Sequence, residues 1–296
     1  MEKFVTPRVV QSKCLEIAEC RYNGVKITDT FVKELLPFIE SVPLCPEVEI
    51  GLGIPRDPIR IVKTDSGKRL IQPKTGKDFT DRMQTYVDDT LSNLANIDGF
   101  LLKGRSPSCG VKDVKTYSEK PGGGTFSKGP GYFGAGVLNY FPRAAIEDEG
   151  RLQNFTIREH YLTRLFANAR LRKVGESGKM GELVKFHSIY KLVLMAYNQS
   201  GMRKLGSITA NPTKKPFAEV YPAYCDLFDR AMVRNASFKA HINVLMHALG
   251  YFSKHLNSKE KSEFLDTLER YRDGKIPLSA VLTVLKIWMA RIDQPY

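Results

Sequence analysis

Through its first half the chain alternates short apolar runs with longer stretches whose apolar residues recur at helical spacing. Residues 8–12 form a short β-rich run, followed by a loop that carries Cys14, Cys20 and the turn pair Asn23-Gly24. Thr28 or Asp29 is placed to cap a helix reaching about Glu40, with Phe31, Leu35 and Phe38 or Ile39 on one face. Ile59-Arg60-Ile61-Val62 and Arg69-Leu70-Ile71-Gln72, joined through Asp65-Ser66-Gly67, predict an antiparallel hairpin. Met83, Val87, Leu91 and Leu94 predict a helix between Asp78 and Asn96. The run Gly99-Phe100-Leu101-Leu102 then reads as a buried strand introduced by the Asp98-Gly99 turn.

Residues 111–136 show no such period and read as a long irregular loop that includes Gly122-Gly123-Gly124. Within it, residues 129–134 match G-x-G-x-x-G by letter. A proline occupies the motif and no apolar strand leads into it, so a dinucleotide fingerprint is rejected. Glu147-Asp148-Glu149 is taken as the start of a long helix whose later half is basic, and Gly175-Glu176-Ser177-Gly178 breaks the chain. Beyond the break the pattern is helical throughout, over residues 180–198, 215–233, 237–255, 258–272 and 278–292. The expected fold class is therefore α/β: a Rossmann-like open-sheet catalytic domain at 1–174, followed by an all-α domain at 179–296.

Charge adds a class of partner to this outline. Forty-five Lys and Arg against 32 Asp and Glu give a net charge of +13, a balance that attracts polyanions. The segment 103–128 is basic at 103, 105, 112, 115, 120 and 128, with Tyr117 and Phe126 interleaved. Cations that meet phosphates and aromatic rings that stack on bases are how unpaired RNA is commonly held; a solvated lysine-rich loop is the plain alternative. No apolar run approaches the ~20 residues of a membrane span, and the N-terminus lacks a signal-peptide core. A soluble, cytoplasmic protein without a membrane partner is expected. Oligomeric state is not legible.

The candidate chemistry is sulfur-based. Five cysteines, an odd count in a large chain without export signals, argue against a disulfide framework. Cys14, Cys45 and Cys109 each lie at the end of an apolar run, in loops rich in Pro, Gly and polar residues such as Pro46, Glu47, Ser106 and Ser108. Such neighbours suit ligation better than core packing, although a free thiol is also a common core residue. All five histidines lie at 160 or later, so soft thiolates without histidine favour an iron–sulfur cluster over zinc, with structural zinc kept open. Cys20 fits a fourth ligand or a structural thiol equally well.

Cys14-Leu15, Cys20-Arg21-Tyr22-Asn23-Gly24, Pro43-Leu44-Cys45-Pro46-Glu47-Val48, Gly53-Ile54-Pro55-Arg56 and Ser106-Pro107-Ser108-Cys109-Gly110 together resemble the thiouracil desulfidase family. The helical half, with Phe186-His187-Ser188, Asn243-Val244-Leu245-Met246-His247 and Gly250-Tyr251-Phe252, resembles the second domain of two-domain members. The resemblance implies a [4Fe-4S] cluster bound by three cysteines, Cys14, Cys45 and Cys109, with one iron free of protein ligands. It implies Glu47 as catalytic acid/base and Ser106 as its polar partner; Ser108, Arg21, Lys103 and Arg105 are expected to contact substrate. Glu16 departs from the glycine usual after Cys14-Leu15 in that family. The implied activity is non-redox removal of sulfur from a thiolated uridine, 4-thiouridine in tRNA. Free thiouracil or a thiouridine nucleoside is the alternative substrate, and a zinc-stabilised, non-catalytic RNA-binding protein the alternative of another class.

Overall fold

The computed structural model describes residues 4–119 and 124–292, and the chain divides into two units, Met1–Glu176 and Ser177–Tyr296. The first unit runs β1 (Arg8–Ser12), α1 (Thr30–Leu35), β2 (Glu40–Leu44), α2 (Pro46–Glu49), β3 (Arg60–Thr64), β4 (Gly67–Gln72), β5 (Lys77–Asp78), α3 (Thr80–Asn93), β6 (Gly99–Leu102), β7 (Val114–Ser118), β8 (Thr125–Gly129), α4 (Tyr132–Tyr140), β9 (Ala145–Asp148) and α5 (Phe155–Ser177). β6 is apolar and buried throughout, and β1 is buried from Val9 to Ser12, because both lie inside a parallel sheet of order β2-β1-β6-β9. Val10, Phe100 and Leu102 pack with α3 and α4 through Met83, Val87, Leu91, Phe133 and Val137. Val9 and Leu101, whose side chains alternate with those, pack with α1 and α5 through Phe31, Val32, Tyr161 and Leu165. Helices therefore cover both faces of an open α/β sheet.

A second sheet, order β5-β4-β3-β7-β8, carries the expected hairpin as its β3–β4 pair, with Thr64 opposite Gly67. Residues 111–136 are not an irregular loop: β7 and β8 pair antiparallel, and α4 follows. Their half-polar, surface-edge character hid the period. A strand thus does lead into the glycine motif, but Gly131 and Gly134 serve close packing instead: a Cβ on Gly131 would meet the Pro107 carbonyl oxygen at 2.6 Å. Glycines 122 and 123 lie outside the described residues.

Two further expectations are corrected. The helix from Asp29 is capped as read, with Val32 N donating to Asp29 Oδ1 at 3.0 Å, but it ends at Leu35 and passes through a 3-10 turn at Pro37. Glu40 then opens β2. Glu147 and Asp148 lie in β9, in register with Leu101 and Leu102, and the helix begins only at Phe155. Residue-type propensity favours helix for Glu147–Glu149, but tertiary pairing with β6 overrides it. Part of the basic stretch of α5 is engaged within the fold, since Arg172 bonds the buried Asp98 carboxylate at 2.9 Å.

The second unit is α-helical: α6 (Met180–Ala210), α7 (Phe217–Met232), α8 (Phe238–Phe252), α9 (Ser258–Arg272) and α10 (Leu278–Ile292). α6 bends at Asn198, whose side-chain oxygen accepts from Gly201 N at 2.8 Å and so restarts the helix. Phe186, Tyr190 and Phe228 pack ring against ring between α6 and α7, and Phe264 and Trp288 fill the core of α8–α10. Among the described residues no helix is long and apolar enough to cross a membrane.

Candidate functional site

Parallel strands end together, so the loops that leave their carboxyl ends meet at one edge of the sheet. Ser12 closes β1 and leads to Cys14; Leu44 closes β2 and leads to Cys45; Leu102 closes β6 and leads to Lys103 and Cys109; Asp148 closes β9 and leads to Glu149. A cavity of about 260 Å³ opens at this edge, lined by Cys14, Cys20, Cys45 and Cys109 together with Arg21, Glu47, Arg56, Lys103, Arg105 and Ser106. The structure thus brings the three strand-end thiols onto one cavity and adds the fourth, Cys20.

Each thiol is fixed by its own loop. Cys45 caps the short helix α2, its carbonyl accepting from Val48 N and Glu49 N at 3.0 Å, and Pro46 supplies the preset φ of the first helical position. The Cys45 sulfur lies 3.8 Å from the Cys20 carbonyl oxygen. The Cys109 loop is tied from inside by Ser106 Oγ, which accepts from Ser108 N at 3.2 Å and Cys109 N at 3.1 Å. It is tied from outside by the start of α4, where Gly131 N and Gly134 N donate to the Gly110 and Ser108 carbonyls. The Cys14 loop turns through Glu16 at φ +64°, a left-handed conformation that favours glycine. Glu16 accepts from Asp29 N at 2.5 Å, holding the strained turn against the start of α1.

Burial raises Cys14, Cys20 and Cys109. It pushes Cys14 up to about 11, with Cys45 adding to the shift and Lys103 opposing it. It lifts Cys20 to about 12, with Cys45 and Cys14 adding. Cys109 is pushed well above its ordinary range by burial, opposed by a hydrogen bond with Ser12. Burial thus favours the protonated form of Cys14, Cys20 and Cys109, and a bound soft metal would displace those protons.

Beside the thiols sits a buried ion pair. Arg56 Nε and Nη2 donate to Glu47 Oε2 at 2.9 and 2.6 Å, with the two side chains only 4% and 14% exposed. Arg56 Nη1 reaches onward to the carbonyls of Cys20 and Gly53, both at 3.0 Å. The other Glu47 oxygen, Oε1, accepts from Ser108 Oγ at 3.0 Å and faces Ser106 Oγ at 3.4 Å. Ser106 therefore does both things a serine there can do, bracing the turn and facing the carboxylate. Ser108 is fully buried behind Glu47 and is not among the cavity-lining residues, so it orients the carboxylate from the rear.

The cations divide into two kinds. Lys103 Nζ donates to Glu149 Oε1 at 2.5 Å, and Glu149 Oε2 accepts from Gly104 N at 2.7 Å, so this lysine is braced within the fold. Arg21 and Arg105 line the cavity with no acidic partner among the described residues; Arg21 lies over the Tyr22 ring at 5.3 Å. Sequence reasoning passed over Arg56 and Glu149 as site residues. Arg56 had a signal, the phrase Gly53-Ile54-Pro55-Arg56; Glu149 had none once its stretch was read as helix.

Among the described residues no group of three or more His, Cys, Asp or Glu side chains is placed to hold a metal ion. The donor set nevertheless fits a thiophilic group in kind: four cysteines, three of them buried, line one cavity with no imidazole among its lining residues.

Residues 9–149 match a family described as 2-thiouracil desulfurase, and residues 191–296 match DUF1722, described as a protein family of unknown function. The uncharacterized protein YbgA of Escherichia coli (strain K12) is 36% identical over 131 residues, which are 44% of this chain and 78% of that protein. The uncharacterized protein YbbK of Bacillus subtilis (strain 168) is 31% identical over 112 residues, 34% of this chain and 72% of its own length. A solved structure, the [4Fe-4S]-dependent thiouracil desulfidase TudS, is 24% identical with a TM-score of 0.38, covering 50% of this chain and 94% of that one. With its sequence match spanning the strands and loops that build the cavity, this chain belongs to the 2-thiouracil desulfurase family, in a two-domain form whose helical half is of the DUF1722 type.

Proposed function

We propose that the protein is a [4Fe-4S]-dependent, non-redox desulfidase that converts thiolated uridine in tRNA, 4-thiouridine, to uridine. The observation that carries this reading is the convergence of Cys14, Cys45 and Cys109 on one cavity beside Glu47. When bound by those three thiolates, a cluster supplies a soft Lewis acid for the thiocarbonyl sulfur. The chain's own residues supply the rest. Replacing C=S by C=O consumes one water and releases one sulfide, with no net electron transfer. Glu47 Oε1 takes the proton from the attacking water; Ser108 holds that oxygen in place, and Arg56 holds the other oxygen of the carboxylate. Arg21 and Arg105 present positive charge at the cavity to phosphate.

A second substrate reading has its own support, because a cavity of about 260 Å³ suits a single pyrimidine ring. Anaerobic turnover of thiolated tRNA and of free thiouracil, each followed by loss of thiocarbonyl absorbance across a salt series, separates the two. The tRNA reading expects the faster turnover on tRNA, falling steeply with ionic strength. Turnover confined to the free base and indifferent to salt would sink it.

A further inference from the structure

Cross-strand neighbours of like charge repel, and an exposed sheet face ordinarily avoids them. The five-stranded sheet of the first unit gathers them. Lys115 of β7 stands directly opposite Lys128 of β8, and both are exposed. On the other side of β7, Ile61 pairs with Thr116 and Val62 with Tyr117, so Arg60 stands one step before that register, level with Lys115. The Arg60 guanidinium lies 4.9 Å over the Tyr117 ring. Ile61, Leu70 and Thr116 point inward and are buried, which leaves Arg60, Lys115 and Lys128 as a row across three strands on the outward face. None of the three has an acidic partner among the described residues. Arg69, further along the same face, is neutralised by Asp78 at 2.6 Å and Asp81 at 3.6 Å.

Two features add to the row. The pairing of β7 with β8 slips between Thr116 and Tyr117, so that Phe126 is an unpaired bulge residue, and it is 63% exposed. The row also begins at the cavity: Pro58 and Ile59 line it, and Arg60 is the next residue.

We propose that this sheet face is where unpaired RNA lies, with phosphates on Arg60, Lys115 and Lys128 and a base stacked on Phe126, so that a neighbouring nucleotide reaches the cavity. The inference rests on the RNA reading of the substrate and gives that substrate a path. Cations in a row beside the exposed Phe126 ring on an open sheet match the chemistry of a single strand, whose backbone wants charge and whose bases want π faces. The same row is costly to the free protein, which explains why charge removal should stabilise it.

The test is fluorescence anisotropy of a labelled, unmodified tRNA with the full-length wild-type protein and K115Q/K128Q, across a salt series. The variant is expected to bind about tenfold more weakly at moderate salt, and its plot of log K against log salt should be flatter by about 1.4, at about 0.7 for each phosphate contact on single strands. Its melting temperature should rise, and its turnover of free thiouracil should stay unchanged. F126A should lose affinity without changing the salt slope. Wild-type affinity and slope retained in K115Q/K128Q would overturn the sheet assignment while leaving the RNA reading intact. No binding of tRNA by the wild type would overturn both. Equal displacement of the tRNA by poly-glutamate would assign the face to an acidic protein and also overturn the proposal.

Discussion

Replacing Arg56 by alanine tests whether the Glu47 carboxylate owes its position to a buried pair. The guanidinium makes two bonds to Glu47 Oε2 and one each to the carbonyls of Cys20 and Gly53, with the side chain 4% exposed. At such burial the pair is little screened by solvent, so a large discount for screening does not apply. Removing one member of a buried ion pair typically costs about 3–5 kcal/mol, because the other charge is left uncompensated. Arg56→Ala should lose that amount from the first unit, and Glu47→Ala/Arg56→Ala should lose less than the sum of the single changes, with a coupling of about 1–3 kcal/mol. The assay needs a probe of the correct unit. Trp288 is the only tryptophan and is buried in the helical unit, so its emission reports that unit and should keep its wild-type urea midpoint. Hydrogen exchange of β1 and β6 amides in cluster-free, reduced protein reports the first. Protection of those amides within about 1 kcal/mol of wild type in Arg56→Ala would refute the reasoning, as would additive single changes.

Further outcomes rest on neighbouring contacts. Glu47→Gln should keep iron and sulfide at wild-type levels yet lose about 10²-fold or more of turnover, the scale of a lost general base; undiminished turnover would remove Glu47 from the chemistry. At Glu16, glycine accepts φ +64° without the left-handed penalty of about 1–2 kcal/mol, whereas alanine keeps the penalty and forfeits the bond to Asp29 N. Glu16→Gly should therefore unfold later than Glu16→Ala, and the reverse order would show the turn to be unstrained. In the helical unit, burial lowers His187 and His241 below their ordinary 6.5, with Lys191 adding to the effect on His187. Above 6.5 these histidines are neutral folded or unfolded and contribute no pH dependence. As pH falls below about 6.5 the unfolded chain binds the protons first, so stability declines until the folded histidines also protonate. The Trp288 urea midpoint should fall between pH 7.5 and 5.5, less so in His187→Gln/His241→Gln; a flat wild-type profile contradicts the assignment.

The layered fold was legible where burial is strong. β1, β6 and α3 announced themselves because their apolar residues face a core on schedule, as Val10, Phe100 and Met83 show. The strands β7 and β8 escaped because only Val114 and Thr116 turn fully inward, while Lys115, Phe126 and Lys128 face out. β9 escaped because Glu147 and Asp148 are poor strand formers held by their partners in β6. At the cavity, cysteines flanked by Pro and Gly were readable as a set, and the sheet places them together. Arg56 was not readable as the partner of Glu47, nor Glu149 as the partner of Lys103, since an ion pair between loops leaves no periodic trace in one sequence. Nor could composition separate Lys103, braced on Glu149, from Arg105, which has no acidic partner among the described residues.

The most direct measurement of the central claim is iron, zinc and acid-labile sulfide content after oxygen-free reconstitution, in the wild type and in Cys14→Ala, Cys45→Ala and Cys109→Ala. The account predicts about four irons and four sulfides per wild-type chain, with brown colour, and their loss in each of the three variants. Zinc without iron in the wild type, or an intact cluster in Cys109→Ala, would contradict it.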